Sequence, residues 1–350
     1  VKNAPRIVVA GVQSPFVSGG AERHVQRLTE ELRSRGIEAE KVALPFFEQT
    51  RMGLLKSALM WRLADFSSFA GRPVDALIAT RFPSYLAAHP RKVVWLIHQY
   101  RQAYDQFGTS YSDFTTSEED AEVRRMIFRM DALGLSEARK VFANSKNVAE
   151  RLKQFNRIES TPLYHPPPLA GSYREGPAGD YALWVGRLDA WKRADLAVAA
   201  LAHAPAARLR VVGEGPERAS LERLAQSVGV GGRCRFLGSV SNEEILELFA
   251  GARIVLVTAA DEDYGYVPLE AFLSGKAVLT VADAGGPLEF VVDGKTGLVT
   301  APRPEALGTA LKLAWDRDGD LAAMGRRGRA AAEKIQWDEA ISKLLSAAGL

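Results

Sequence analysis

Residues 161–171 read TPLYHPPPLAG. Four prolines among these eleven residues remove backbone donors and hold φ near −65°, so no periodic element continues past Tyr164 and the stretch reads as an interdomain linker. Working outward, the same pattern appears on both sides. Upstream, an apolar run at 6–9 ends in Gly11, and Ala21, Val25, Leu28 and Leu32 then recur at helical spacing: a strand, a glycine loop and a helix. Strand-like runs follow at 76–79, 93–97 and 141–143, the last leading into a helical stretch at 147–155. Downstream, strands are predicted at 182–185, 209–212, 254–257 and 277–281. A helix is predicted at 194–204, and a helical face is formed by Leu221, Leu224, Ala225 and Val228.

Strands alternating with helices predict parallel sheets, and 350 residues suit two such domains better than one core. The expected fold class is therefore α/β, with two facing Rossmann-like domains and a cleft between them. The first is predicted over 1–165 and the second over 166–335. A C-terminal helix over 336–350, with Ile341, Leu344 and Leu345 to bury, is expected to return across the junction to the first domain. Residues 99–122, polar and rich in Ser, Thr and Tyr, read as a long loop or a lid.

Composition narrows the function classes. Hydrophobic residues at 47% and charged residues at 25% are those of a soluble globular chain. A net charge of +3 lacks the basic excess of a nucleic-acid binder. The lone Cys234 rules out an intramolecular disulfide or a cysteine-rich zinc site and points to a reducing, cytoplasmic setting. No leader-like segment is recognised, and no apolar run approaches the ~20 residues of a membrane span.

In an open parallel sheet, ligands bind beyond the carboxyl ends of the strands, so the residues just past each strand carry the information. After the first strand, VSGGAER puts Gly19 and Gly20 at a helix start, where backbone N–H groups suit an anion; a plain tight turn is the competing reading. His98 ends the run VVWLI, placed to contact a hydroxyl or phosphate rather than to fill a core. WVGRLDAWKRAD sets Arg187 past a strand and Lys192 near a helix start, two cations suited to a diphosphate and to the charge that grows on it as it leaves. DEDYGYVPLE follows the strand IVLVT, with seven residues between Glu262 and Glu270. That spacing alone is uninformative, since Glu22 and Glu30, or Glu214 and Glu222, share it. The context is what distinguishes it: a buried strand before, a glycine between, an apolar helix after.

In that context the segment resembles the Glu, seven residues, Glu motif of the family 4 glycosyltransferases, which share the two-domain fold called GT-B. Further similar segments run in family order: GGAERHVQRLTEELRSRG, VGRL with Lys192, VVGEGPER, FLGSVSNEE, and AGGPLEFVVDGKTGLV with Gly285, Gly286, Glu289, Gly294 and Gly297. The resemblance implies a retaining hexosyltransferase that uses a nucleotide diphosphate sugar, needs no metal ion or other cofactor, and acts on a saccharide or lipid-linked saccharide in bacterial-type cell-surface polysaccharide or glycolipid assembly. Residue by residue, it implies that Arg187 and Lys192 clamp the diphosphate, Glu262 holds the sugar, and His98 touches sugar or phosphate. Gly19, Gly20 and Gly213 would approach the donor, as would the loop at 237–242 with Val240 and the amides of Tyr264, Gly265, Tyr266 and Val267. Glu270 would reach the ribose. Asp263 and Tyr264 depart from the residues common in the family, and the segment after His98 matches nothing in it.

Three other enzyme readings compete. Asp261, Glu262 and Asp263 form an Asp-x-Asp, the signature of a metal-dependent transferase of another fold. A nucleotide-sugar epimerase uses a similar scaffold. An NAD-dependent oxidoreductase would need a Gly-x-Gly-x-x-Gly loop, of which Gly213 and Gly215 supply only part. A non-catalytic relative that kept the fold would not need Arg187, Lys192, Glu262 and Glu270 together. Residues 52–69, with Leu54, Leu55, Leu59, Trp61, Leu63 and Phe66 among Arg51, Lys56 and Arg62, read either as a core helix or as a helix lying at a membrane surface.

Overall fold

The computed structural model describes residues 4–14, 19–316 and 318–350. The chain divides into two compact units: Val1–Pro168 together with Gln336–Leu350, and Leu169–Ile335.

The first unit runs β1 (Arg6–Gln13), α1 (Gly20–Ser34), β2 (Glu38–Pro45), α2 (Arg51–Leu63), a short antiparallel hairpin β3 (Ser68–Phe69) and β4 (Arg72–Pro73), then β5 (Ala76–Ala79), β6 (Lys92–Leu96), α3 (Glu118–Ser136), β7 (Lys140–Ala143), α4 (Lys146–Asn156) and β8 (Thr161–Pro162). Its main sheet is ordered β2-β1-β5-β6-β7-β8, and every pair in it is parallel. Strands covered on both faces need apolar residues at consecutive positions, and β5 and β6 are buried throughout. Alternate residues serve the two faces: Val8, Leu77 and Val94 pack with residues of α2, α3 and α4, whereas Val9, Ile78 and Trp95 pack with residues of α1 and of the last helix.

The second unit runs β9 (Ala182–Val185), α5 (Ala194–Ala200), β10 (Leu209–Val212), α6 (Arg218–Ser227), β11 (Cys234–Gly238), α7 (Asn242–Ala250), β12 (Ile254–Val257), α8 (Tyr266–Leu273), β13 (Val278–Val281), β14 (Gly297–Thr300), α9 (Pro304–Asp316) and α10 (Asp318–Ala332). The order β11-β10-β9-β12-β13-β14 is a doubly wound parallel sheet whose direction of winding reverses between β9 and β12. Burial pushes the Cys234 thiol up to about 12, so this lone cysteine is an inert core residue.

The last helix, α11 (Trp337–Ala348), lies in the first unit, where Trp337, Ala340, Ile341 and Leu344 join α1 and the sheet.

Three sequence readings are sharpened. Residues 99–117 form the long loop expected, made of turns around a short 3-10 segment, and α3 takes over at Glu118. Tyr100, Tyr104 and Phe114 are buried in the core, so the segment is anchored by aromatic rings that its polar composition concealed. The edge strand β2 shows no apolar alternation and was not foreseen; most of its residues are partly or fully exposed. Residues 52–69 divide into two parts: α2 buries Leu54, Ala58 and Trp61 and exposes its opposite face, and the chain then turns into the β3–β4 hairpin.

Candidate functional site

In a doubly wound sheet the crevice opens where the winding reverses, which here places it beyond the carboxyl ends of β9 and β12. Gly186 and Arg187 follow β9. Asp189 then caps a short 3-10 turn, its Oδ1 accepting from the Lys192 N–H at 3.1 Å. Thr258 follows β12 and ties the two loops together. Its hydroxyl lies 2.9 Å from the carbonyl oxygens of Lys192 and Arg193 and accepts from the Trp184 indole N–H at 2.9 Å.

The loop carrying Glu262 is fixed along its backbone. Ala260 N–H donates to the Trp191 carbonyl at 3.2 Å, Asp261 N–H to Asp283 at 2.7 Å and Glu262 N–H to Ala284 at 2.8 Å, and the Glu262 carbonyl accepts from Gly286 N–H at 2.7 Å. Asp261 adopts φ +42°, a left-handed conformation that Asp tolerates better than most residues. With the backbone held on both sides, the Glu262 carboxylate takes the Lys192 ammonium in a short ion pair. Arg187 is largely exposed, with its Nε 3.7 Å from Asp189 Oδ2.

Sequence reasoning passed over Arg193, which holds this arrangement in place. Its guanidinium donates to the carbonyls of Thr258 at 2.7 Å and Ala259 at 3.2 Å, and its two terminal nitrogens reach the two Asp283 oxygens at 2.9 and 2.7 Å. The residue sits at φ +49°, so a strained backbone position is retained by a fully engaged side chain. The adjacent Lys192-Arg193 pair was the available signal, but a second cation beside the first reads as more of the same rather than as a clamp.

Other candidate positions in this unit have structural reasons for their identity. Gly213 has φ +130°, and a Cβ there would meet the Gly186 carbonyl oxygen at 1.9 Å, so the glycine lets the β10 loop lie against the loop bearing Arg187. Gly265 has φ +81° and backs onto Pro287. It precedes α8, whose first turn contributes Tyr266 and Val267 N–H groups without helical acceptors; Pro268 at the third position gives up a donor the helix does not use. The Tyr264 ring is buried edge-on to Tyr266 at 5.7 Å and Phe290 at 5.4 Å. Its ring therefore packs the loop. Glu270 is half-buried on α8. Val240, also half-buried, precedes Ser241, which caps α7 in a reciprocal pair with Glu244. Among the described residues, no group of three His, Cys, Asp or Glu side chains is arranged to hold a metal ion, and this includes residues 261–263.

In the first unit the carboxyl edge is built differently. Of VSGGAER, Val17 and Ser18 lie outside the described residues. Gly19 N–H donates to Glu22 Oε2 at 2.9 Å, so one of the helix-start donors expected for an anion is occupied from within, and Arg81 balances that carboxylate at 2.9 Å. Gly20 opens α1. His98 lies two residues beyond β6, half-buried, with Nδ1 2.6 Å from the Gln99 carbonyl oxygen. A carbonyl only accepts, so Nδ1 carries the proton and Nε2 of the neutral ring is an acceptor. The Gly19–Gly20 turn follows β1 and His98 follows β6, two strands whose neighbour in common is β5.

Behind His98 runs a buried polar chain. Gln99 donates to Asn156 at 2.8 Å, Asn156 to the Tyr104 hydroxyl at 3.1 Å, and Tyr104 and Tyr85 each donate to Asp131, at 2.7 and 2.8 Å. Burial raises Asp131 to about 7 against the opposing effect of the two phenols. A polar groove of about 390 Å³ lies along α1, where Glu22 and Glu30 face Arg23, Arg27 and Lys41; His98 does not line it.

Comparison with known proteins agrees with this division. Residues 173–331 match the family model for glycosyl transferases group 1. D-inositol 3-phosphate glycosyltransferase of Nocardia farcinica is 32% identical over 242 residues, which is 60% of this chain and 52% of that protein. The chain spans about half the length of the curated relatives it matches. Among solved structures, sucrose-phosphate synthase from Thermosynechococcus elongatus superposes with a TM-score of 0.78 at 19% identity over 98% of both chains. Anabaena HepE, solved with UDP and glucose, gives 0.71 at 19% identity over 98% of this chain and 99% of its own. These structures share the fold of two parallel-sheet α/β domains. The match to the glycosyl transferases group 1 family takes in residues 173–331, nearly the whole second unit.

Proposed function

We propose that this protein is a retaining glycosyltransferase that moves a sugar from a nucleotide diphosphate to an acceptor hydroxyl without a metal ion. The observation that carries the reading is the Lys192–Glu262 ion pair, with Arg187 on the same edge, where β9 and β12 wind apart. A diphosphate entering there competes with Glu262 for the Lys192 ammonium. The exchange places the cation on the leaving group and turns the Glu262 carboxylate toward the sugar hydroxyls, so a neutral resting pair becomes two ligand contacts. Arg187 and the first-turn amides of α8 add positive potential where charge develops.

The acceptor hydroxyl attacks the anomeric carbon from the face the diphosphate leaves. The carbon–phosphate oxygen bond breaks as the new glycosidic bond forms, and the acceptor proton passes to a departing phosphate oxygen, so no side-chain base is needed. Glu262 positions the sugar, Glu270 the ribose and the 237–242 loop the base. With Nδ1 bound to Gln99, a neutral His98 accepts a sugar hydroxyl proton at Nε2 and donates to phosphate only when protonated. HepE was solved with UDP and glucose, which supports a nucleotide diphosphate sugar as donor here. The acceptor is a saccharide or lipid-linked saccharide in cell-surface polysaccharide or glycolipid assembly, reached from the cytoplasmic side.

Melting temperature in chelator with uridine, guanosine or adenosine diphosphate, or with NAD, tests this. One nucleoside diphosphate at 100 times its Kd stabilises by about 2.7 kcal/mol, a rise of roughly 5–10 °C for a domain of this size. A shift that appears only when a divalent cation is restored overturns the metal-free mechanism, and a shift with NAD alone overturns the transferase. Retention is checked by the anomeric configuration of the product.

A further inference from the structure

Six of the twelve large apolar residues exposed among the described residues fall within residues 47–69. On α2, Met52, Leu59, Met60 and Leu63 are 60%, 53%, 37% and 80% exposed. With Lys56 they fall at positions i, i+4, i+7, i+8 and i+11, one stripe about 100° wide, directly opposite the buried Leu54, Ala58 and Trp61. Scattered exposed leucines are ordinary, but a continuous stripe on one helix is not. Phe69, on the hairpin that follows, is also exposed and packs edge-on to Phe66, which stacks on Trp61, so the apolar surface continues past the helix. The neighbouring α3 adds Met126 and Leu133. Ion pairs at both ends, Arg51 to Asp120 and Arg62 to Glu137, dock the two helices side by side.

The charges identify the occupant. Residues 51–72 hold four basic side chains against Asp65 alone. Arg51, Arg62 and Arg72 pair with carboxylates of the fold, but Lys56, in the middle of the stripe, and Arg129, between Met126 and Leu133 on α3, make no ion pair among the described residues. A two-fold contact about the α2 stripe would set the unpaired Lys56 close to its own counterpart. An anionic lipid surface instead offers phosphates to each cation and hydrocarbon to the leucines and methionines between them.

We infer that the α2 face and the β3–β4 hairpin of the first unit dock this protein on an anionic phospholipid membrane. Flotation of the full chain with vesicles of phosphatidylcholine containing phosphatidylglycerol, and with phosphatidylcholine alone, tests it. Binding should favour the anionic vesicles. The double variant Leu59→Ser/Leu63→Ser should weaken it on the order of tenfold, and Lys56→Glu by about fivefold. Both alter exposed positions, so the melting temperature should hold. The inference is overturned if the full chain ignores anionic vesicles or if the double variant binds as the parent does. It is also overturned if sedimentation velocity reveals a dimer that the double variant abolishes, which would give the face to a second copy.

Discussion

The carboxyl edges of the two sheets share a backbone scaffold and differ in what is added to it. In the second unit, loop is joined to loop by backbone hydrogen bonds: Gly186 N–H to Val212, Gly213 N–H to Gly238, Glu262 N–H to Ala284 and Gly286 N–H to Glu262. The first edge has backbone bonds of the same kind, Ile97 N–H to Thr80 and Asn144 N–H to Leu96, and adds side chains drawn from far along the chain, Arg81 on Glu22 and the network from Gln99 to Asp131. Backbone stitching demands small residues at fixed places and so leaves a mark in the sequence. A side-chain network draws its members from far apart, as Tyr85 and Asp131 stand 46 residues from each other, and leaves none. The family match over 173–331 falls on the second unit's edge.

The largest effect should come from separating the chemistry of the two edges. Lys192→Met or Glu262→Gln should lower kcat by about 10²–10³ with little change in melting temperature. His98→Ala should lower it by roughly tenfold. Equal losses, measured as sugar transfer under saturating donor, would break the comparison, because the first edge would then carry as much of the reaction as the second.

Next is the stitching itself. Gly213→Ala forces a Cβ to 1.9 Å from the Gly186 carbonyl oxygen at φ +130°, and should destabilise by about 2–4 kcal/mol in urea unfolding. A loss under 1 kcal/mol would mean that this loop is softer than its backbone contacts imply.

The smallest effect belongs to the first unit. His24 and His165 are buried with ring centroids 4.2 Å apart, between Trp95 and Trp337. Burial lowers both, His165 to about 3, and each would repel a charge on the other's ring. Below about pH 6.5 the unfolded chain protonates these imidazoles while the folded chain does not, so stability falls as pH falls. His165 alone should remove about 2 kcal/mol between pH 7 and pH 5. The fall should appear in probes of the first unit, and an equal fall in the second would assign it to some other group.

Legibility follows the same line. The two α/β units, the strand ends and the Lys192–Glu262 edge were visible because buried parallel strands are apolar runs, and the residues after them must serve a ligand or a turn. Arg193 was hidden because its role lies in hydrogen bonds to the carbonyls of Thr258 and Ala259, groups present at any sequence. The packing of residues 99–122 was hidden because tyrosine is polar by composition, yet Tyr100 and Tyr104 are buried. Glu22 looked like an ordinary member of a helix-start segment, but its carboxylate occupies the Gly19 N–H.

The return of Gln336–Leu350 to the first unit also fixes an order of assembly during synthesis. A ribosome, working from the amino end, releases every strand of the second unit before it reaches Trp337, the indole that stacks on His165 at 5.6 Å and closes the aromatic cluster around His24. The domain begun second is therefore the first with all its parts, and the domain begun first is the last to be sealed. A nascent chain halted shortly after residue 335 would carry one finished fold and one still open along the seam where α11 belongs.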